Sequence, residues 1–186
     1  MEEAISMSGI GELPLVIHNA MRPGPGTGLP TRTEQGDLNL AMYAGHGDFP
    51  RVLLAPTSLE SGVELGQKAF NIADKYQVPV IILSDANYLS QSMNLGKVNL
   101  EENEYHVVES TEDYKRYQYT ESGISPRSVP GYGKGLVKVD SDEHTEEGLI
   151  TEDFDVRIKM MDKRMKKLDK YVDIEPELVG NPDYET

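Results

Sequence analysis

Three short apolar runs mark the first half of the chain: Leu13 to His18 (LPLVIH), Arg51 to Pro56 (RVLLAP) and Val78 to Leu83 (VPVIIL). They are rich in β-branched and aliphatic residues and lack polar alternation, the pattern of strands buried on both faces of a parallel sheet. Between the second and third runs, Leu59, Val63, Phe70, Ala73 and Tyr76 recur at helical spacing and predict a helix from Ser58 to Tyr76. The opening MEEAISMSGI predicts a helix with Ala4, Ile5 and Met7 as its apolar positions and Gly9 or Gly11 available to stop it. Thr31-Arg32-Thr33-Glu34 has the spacing of a capping box, which predicts a further helix from Arg32 through Leu38, Met42 and Tyr43. Strands that alternate with helices in this way predict an α/β, parallel-sheet layered domain over residues 1–90.

The pattern changes after Gln91. Residues 91–150 carry no sustained period, many acids and tyrosines, and turn signals at Ser125-Pro126, Pro130-Gly131 and Gly133-Lys134-Gly135. They predict an irregular excursion with two short hairpin strands, Tyr105 to Val108 and Leu136 to Val139. From Thr151 to Val172, Phe154, Ile158, Met161, Met165, Leu168 and Val172 follow a 4-3-4-3-4 spacing, so residues 151–172 are expected to form one long linker helix laying a narrow apolar seam on a neighbour. The acidic, proline-containing residues 173–186 are expected to be a linker tail.

Charge narrows the function classes. With 18 basic against 32 acidic side chains the formal charge is −14, which repels phosphate backbones and argues against general nucleic-acid binding. No apolar run approaches the roughly 20 residues of a membrane-spanning helix and no signal-type start is visible, so a soluble, cytoplasmic protein is expected. The absence of cysteine removes disulfides and thiolate ligands from the chain.

Against this acidic background one stretch stands out. Residues 21–40, MRPGPGTGLPTRTEQGDLNL, carry Arg22 and Arg32, three threonines and alternating Gly24, Gly26 and Gly28, with no acid before Glu34. A basic loop that leaves a strand and enters a helix is a candidate anion site, because loops at the carboxyl ends of parallel strands open into a crevice. Arg22 could hold a carboxylate or phosphate through two parallel hydrogen bonds, or form an ordinary loop salt bridge. Arg32, in the first turn of the expected helix, opposes the helix dipole there and is a second candidate for anion contact. Gly24-Pro25-Gly26-Thr27-Gly28 is neither a dinucleotide fingerprint nor a P-loop, and it predicts a tight loop that lets another backbone or a cofactor approach closely. Asp48 and the four histidines, His18, His46, His106 and His144, lack metal-ligand spacing and are expected to be structural. The run Asp140 to Glu147 (DSDEHTEE) lacks the spacing of a calcium loop and is expected to be a solvated acidic turn.

The string GPGTGLPTRTEQGDLNLAMYAGHGDFPRVLLAP, with QKAFNIADKYQVPVIILSD and the later GISPRSVPG, DSDEHTEEG and ITEDFDVRIKMMDKRMKKLD, resembles the alpha subunit of 2-oxoacid:ferredoxin oxidoreductases. The resemblance covers residues 4–172. It implies part of a pyrimidine-type domain of a thiamine-diphosphate enzyme that oxidatively decarboxylates a 2-oxoacid such as pyruvate or 2-oxoglutarate, giving acyl-coenzyme A and passing electrons to ferredoxin. A beta subunit would be the partner, holding most of the thiamine diphosphate, its magnesium and a 4Fe-4S cluster, with no cofactor bound by this chain alone. The substrate-carboxylate arginine of the family matches Arg22, and Thr27 is the remaining loop hydroxyl where GPSTG is the commoner form. Gly24, Gly26, Gly28 and Arg32 would lie near the cofactor. The family's Tyr-Pro-Ile-Thr-Pro segment, its activating glutamate and its C-terminal domain have no counterpart in this sequence. The resemblance therefore implies an incomplete subunit that contains no catalytic group of its own and is inactive alone. The alternative is a non-catalytic assembly module that docks a partner through the acidic excursion and the C-terminal helix; a nucleotide-binding domain is disfavoured by the missing phosphate fingerprint.

Overall fold

The computed structural model of the protein describes residues 2–98, 100 and 102–171. Its order is α1 (Glu2–Ile10), β1 (Leu15–Met21), α2 (Leu38–Tyr43), β2 (Val52–Leu54), α3 (Leu59–Tyr76), β3 (Pro79–Asp85), α4 (Ala86–Leu89) and α5 (Phe154–Met165), the last continued by a 3₁₀ turn at Lys166–Leu168. The strands form a parallel sheet in the order β1-β3-β2. Met21 of β1 stands opposite Asp85 of β3, and Leu54 of β2 opposite Ile82, so all three strands run toward the same edge. An α/β layered sheet is what the apolar runs predict.

β3 is the central strand and is buried along almost its whole length. Alternation along the strands splits its contacts between two faces. Val52, Leu54 and Val80 pack with Ala69, Ile72 and Ala73 of α3, while Ile81 and Leu83 pack with Met21 and Ala41 on the other side. Each fully buried Val or Ile contributes about 1.5–3 kcal/mol, so this double-sided core is enough to fix the register of β3. Helix α3 starts where Ser58 and Ser61 cap each other reciprocally, at 3.1 and 2.9 Å, and stops at Gln77, which adopts the left-handed region at φ 54°. Gly9 does not stop α1. It lies buried inside the helix, where a Cβ would stand 2.5 Å from the Phe49 ring, so its role is close packing.

Three expectations fail for identifiable reasons. No helix starts at Arg32: Thr31 to Asp37 form turns and extended backbone, and α2 begins at Leu38. The Thr31–Glu34 spacing is overridden because the loop closes on itself, with Leu29 N–H donating to Pro23 O at 3.0 Å and Arg32 N–H to Leu29 O at 3.1 Å. The two hairpin strands of the excursion are absent as well. Isolated bridges at Ser110–Gly133 and His144–Ile150 are what remain of pairing there. Side chains satisfy much of that backbone instead: Tyr114 Oη accepts from Ser128 N–H at 2.8 Å and donates to Pro126 O at 2.9 Å, and Ser110 Oγ reaches the Tyr132 carbonyl at 2.9 Å.

The C-terminal helix shows the largest reversal. It is shorter than expected, and its apolar seam faces outward, with Phe154 83% exposed, Ile158 59% and Met165 46%. The buried face carries Met160, Lys163 and Arg164, followed by Lys167 in the 3₁₀ turn. Carboxylates on the neighbouring surface decide the orientation. Lys163 Nζ donates to Glu12 Oε1 at 2.6 Å, Lys167 Nζ lies 2.7 Å from Glu12 Oε2, and Arg164 grips Glu143 with two bonds of 3.0 and 2.7 Å. Buried charges require such partners, while an exposed apolar residue is tolerated. Among the described residues at this end of the chain, Leu168 and Tyr171 join the α3 face of the core, Tyr171 edge-on to Tyr76. Val172 and the expected tail at 173–186 lie outside the described residues.

Candidate functional site

The carboxyl edge of the sheet opens into a crevice of about 560 Å³, lined by Met21, Gln35, Leu38, Thr57, Ser84, Asp85 and neighbouring residues of the β2 and β3 exits. Each strand delivers one contribution: Met21 ends β1, Ala55 to Thr57 follow β2, and Ser84 and Asp85 end β3. This is where the topology of an open parallel sheet places a ligand.

Asp85 sits at the centre of this edge and is nearly buried. Its Oδ1 accepts from Tyr88 N–H at 2.8 Å, capping the short α4, and its Oδ2 accepts from Gln35 Nε2 at 2.8 Å. These bonds, the Tyr88 amide first and the Gln35 amide second, hold the carboxyl below the usual aspartate range, so it is a committed anion at neutral pH. Two residues further along, Asp37 Oδ2 accepts from Asn19 Nδ2 of β1 at 3.2 Å. His18 Nε2 and Ser84 Oγ, on adjacent strands, lie 2.7 Å apart.

The Gly-Pro loop springs from this edge. Arg22 follows β1 directly, and Arg22 and Arg32 are both exposed and form no ion pair among the described residues. The carboxylates of Asp37 and Asp85 accept from the neutral side-chain amides of Asn19 and Gln35, so neither pairs with an arginine. The Gly24–Pro25 peptide is cis. Gly28, at φ 50°, is the position the loop cannot change: a Cβ there would lie 1.8 Å from the Pro23 carbonyl oxygen. Gly26 is also left-handed, at φ 61°, but borders open space, and Gly24 has only a distant neighbour. Thr27 is exposed between them.

At the opposite edge, about 20 Å away along β1 by strand rise, the loops entering β1 and β3 hold a buried ionic cluster. Glu12, at φ 51°, is fully buried and meets Lys163 and Lys167, while Arg116 Nη2 donates to the Glu12 carbonyl at 2.6 Å and Nη1 to Gln77 Oε1 at 3.0 Å. Burial would raise the Glu12 carboxyl, but the two ammonium groups outweigh it and lower it to about 2. Burial dominates for Lys167 and lowers it to about 8. Gln77 completes the cluster, donating to Ser125 O at 2.6 Å and accepting from Lys167 on its own carbonyl at 3.0 Å.

The acidic run at residues 140–147 is therefore more than a solvated turn. Glu143 accepts from Arg164 and from Arg157 at 2.6 Å, and although burial opposes it, these bonds keep its carboxyl below the usual range. His144 is fully buried, 3.8 Å from the Tyr117 ring centre, with Nδ1 2.8 Å from Asp142 O, and burial pushes its pKa down. His46 pairs with Glu3 at 3.4 Å and His106 with Glu104 at 2.9 Å. Among the described residues no three His, Cys, Asp or Glu side chains cluster as metal ligands. No described helix is long and apolar enough to cross a membrane.

Residues 1–163 match the family of pyruvate flavodoxin/ferredoxin oxidoreductases, thiamine diphosphate-binding. The chain belongs to that family. The 2-oxoacid:ferredoxin oxidoreductase 1 alpha subunit of Sulfurisphaera tokodaii is 43% identical over 177 residues, 91% of this chain and 28% of that subunit. A 2-oxoglutarate synthase subunit KorA from Archaeoglobus fulgidus is 36% identical over 143 residues, 73% of this chain and 41% of its own length. Among solved structures, the 2-oxoglutarate:ferredoxin oxidoreductase of Magnetococcus marinus, with 2-oxoglutarate, coenzyme A and succinyl-CoA bound, superposes with a TM-score of 0.86 at 34% identity, covering 97% of this chain and 33% of that one. The chain thus spans between 28% and 41% of the length of these relatives. Membership of a thiamine-enzyme family does not favour the assembly-module alternative.

The structure gathers Arg22, Gly24, Gly26, Thr27, Gly28 and Arg32 on one loop at the ligand edge of the sheet, although Arg32 stands on a turn and not on a helix. Sequence reasoning passed over Asp85 and Gln35. The signal for Asp85 was present, an acid ending an apolar strand directly before a helix start. Nothing local marked Gln35. The buried cations Lys163, Lys167 and Arg116 carried no signal, because their positions match a solvent face.

Proposed function

We propose that this chain forms part of the alpha subunit of a 2-oxoacid:ferredoxin oxidoreductase, where it supplies the substrate-carboxylate side of the active site. The observation that carries this reading is Arg22: an exposed guanidinium without an ion-pair partner among the described residues, directly after Met21, which ends β1 and lines the crevice. A 2-oxoacid carboxylate would take two parallel hydrogen bonds from Arg22, which orients the neighbouring carbonyl for attack. The Thr27 hydroxyl adds a further contact, Gly24, Gly26 and Gly28 let the ligand approach the backbone, and Arg32 adds positive field from the far arm of the loop.

Thiamine diphosphate, when bound, supplies the carbon-centred chemistry by which carbon dioxide leaves. The crevice has room and mixed lining for a ring of the cofactor, and Met21, Leu38 and Thr57 are the residues that would border it. The described donor set does not fit magnesium, which prefers several clustered oxygen ligands, and the chain has no thiolate for a 4Fe-4S cluster. Both groups are assigned to a beta subunit. Ferredoxin and coenzyme A would act on the assembled complex, and ferredoxin as electron acceptor fits a cytoplasmic location.

The test is Arg22→Ala in the subunit assembled with its partner. Loss of a charge-assisted pair is expected to raise the KM for the 2-oxoacid by about ten- to a hundredfold, with Arg22→Lys intermediate because it keeps charge without the fork. An unchanged KM would overturn the assignment.

A further inference from the structure

The loop that carries Arg22 leaves the sheet after β1 and returns over the crevice, and its return arm is bonded to two adjacent strands. Asn19 of β1 holds Asp37, and Asp85 at the end of β3 holds Gln35. Asp85 and Met21 are register partners, so the group that receives the return arm stands beside the residue from which the outgoing arm departs. Between the two arms the loop is cross-tied: Leu29 N–H donates to Pro23 O, and Arg32 N–H to Leu29 O. Gln35 lies three residues along the chain from Arg32, so a displacement of Gln35 is passed through that short segment and the two backbone bonds to Pro23, next to Arg22. Asp85 itself does not move freely, because Tyr88 N–H holds its other oxygen and its strand is the buried centre of the sheet.

We propose that Asp85 is a positioning residue, which through Gln35 fixes the return arm of the Gly-Pro loop and so sets where Arg22 meets the substrate carboxylate. This rests on the reading of Arg22 as the carboxylate contact. Both Asp85 oxygens are engaged within the protein: one caps α4 and the other receives the Gln35 amide. The loop, exposed along most of its length with Gly at 24, 26, 28 and 36, has little packing of its own to hold one shape.

The experiment uses the assembled enzyme and steady-state kinetics with the 2-oxoacid varied. Gln35→Leu removes the clamp without touching the helix cap. It is expected to raise KM about five- to tenfold, the size of one lost hydrogen bond, with kcat within about twofold. Asp85→Ala should raise KM at least as much, and the double variant should be no worse than Asp85→Ala alone, since both remove one interaction. Asp85→Asn should stay within about twofold of the parent, because its carbonyl can still cap α4 and its amide can donate to a flipped Gln35. In an Arg22→Ala background Gln35→Leu should have no further effect on KM. The proposal is overturned if Gln35→Leu leaves KM unchanged, if it raises KM equally with and without Arg22, or if Asp85→Asn fails as badly as Asp85→Ala, which would mean the charge itself acts on a ligand. Failure of the Arg22 reading shows separately, as an unchanged KM for Arg22→Ala.

Discussion

Lys163 and Glu12, 151 positions apart in the chain, form a fully buried ion pair of 2.6 Å that fastens the C-terminal helix to the turn between α1 and β1. Lys167 occupies the second Glu12 oxygen and Arg116 the backbone carbonyl, so this one residue gathers the C-terminal helix and the excursion at the turn before β1. The cluster sits at the amino edge of the sheet, away from the crevice. It holds the excursion and the helix in place and takes no part in the candidate chemistry.

Replacing Glu12 should therefore cost stability and leave the crevice intact. Glu12→Gln strands two buried ammonium groups with one neutral partner, and a loss of about 3–5 kcal/mol is expected from breaking a buried pair on one side. Urea unfolding followed by circular dichroism measures it. A change no larger than that of a surface substitution would show the cluster to be dispensable.

The same carboxylate sets an acid limb. Its folded pKa of about 2 lies below the unfolded value of 4.5, so its contribution is complete above pH 4.5 and is lost as pH falls toward 2. The stability gap between the parent chain and Glu12→Gln should narrow as pH falls from 4.5 toward 2. A gap that widens on acidification would contradict the pairing.

On α5, Phe154→Ser and Ile158→Ser should change stability by less than about 0.5 kcal/mol, being surface changes. Met160→Ala, at a fully buried position, should cost about 2–5 kcal/mol. Thermal melts of the three variants decide which face is inside.

In the Gly-Pro loop, Gly28→Ala should raise the KM of the assembled enzyme by at least about fivefold, because the methyl meets the Pro23 carbonyl and the loop must reshape. Gly26→Ala meets no neighbour and carries only the cost of its left-handed backbone, about 1 kcal/mol. Equal effects of the two substitutions would show that the Pro23–Leu29 closure does not govern the site.

The sequence by itself determined the sheet and the position of the basic Gly-Pro loop at a strand end. Uninterrupted apolar runs such as Val78 to Leu83 have one good use, burial on both faces, and a basic Gly-Pro loop after the first of them can only leave from a strand end. Local chemistry also carried the resemblance that the family match bears out. Tertiary structure decided what local patterns could not express. The capping box at Thr31 is not formed, because the turn bonds from Leu29 to Pro23 and from Arg32 to Leu29 fold this segment into the loop instead of a helix start. The outward seam of α5 and its buried Lys163, Arg164 and Lys167 depended on Glu12 and Glu143, distant carboxylates that make the charged face the better one to bury. Asp85 and Gln35 became a pair only when strand order brought them together. Apolar burial is legible in sequence because water is everywhere the same partner, whereas the worth of a buried charge depends on a particular partner that only the fold supplies.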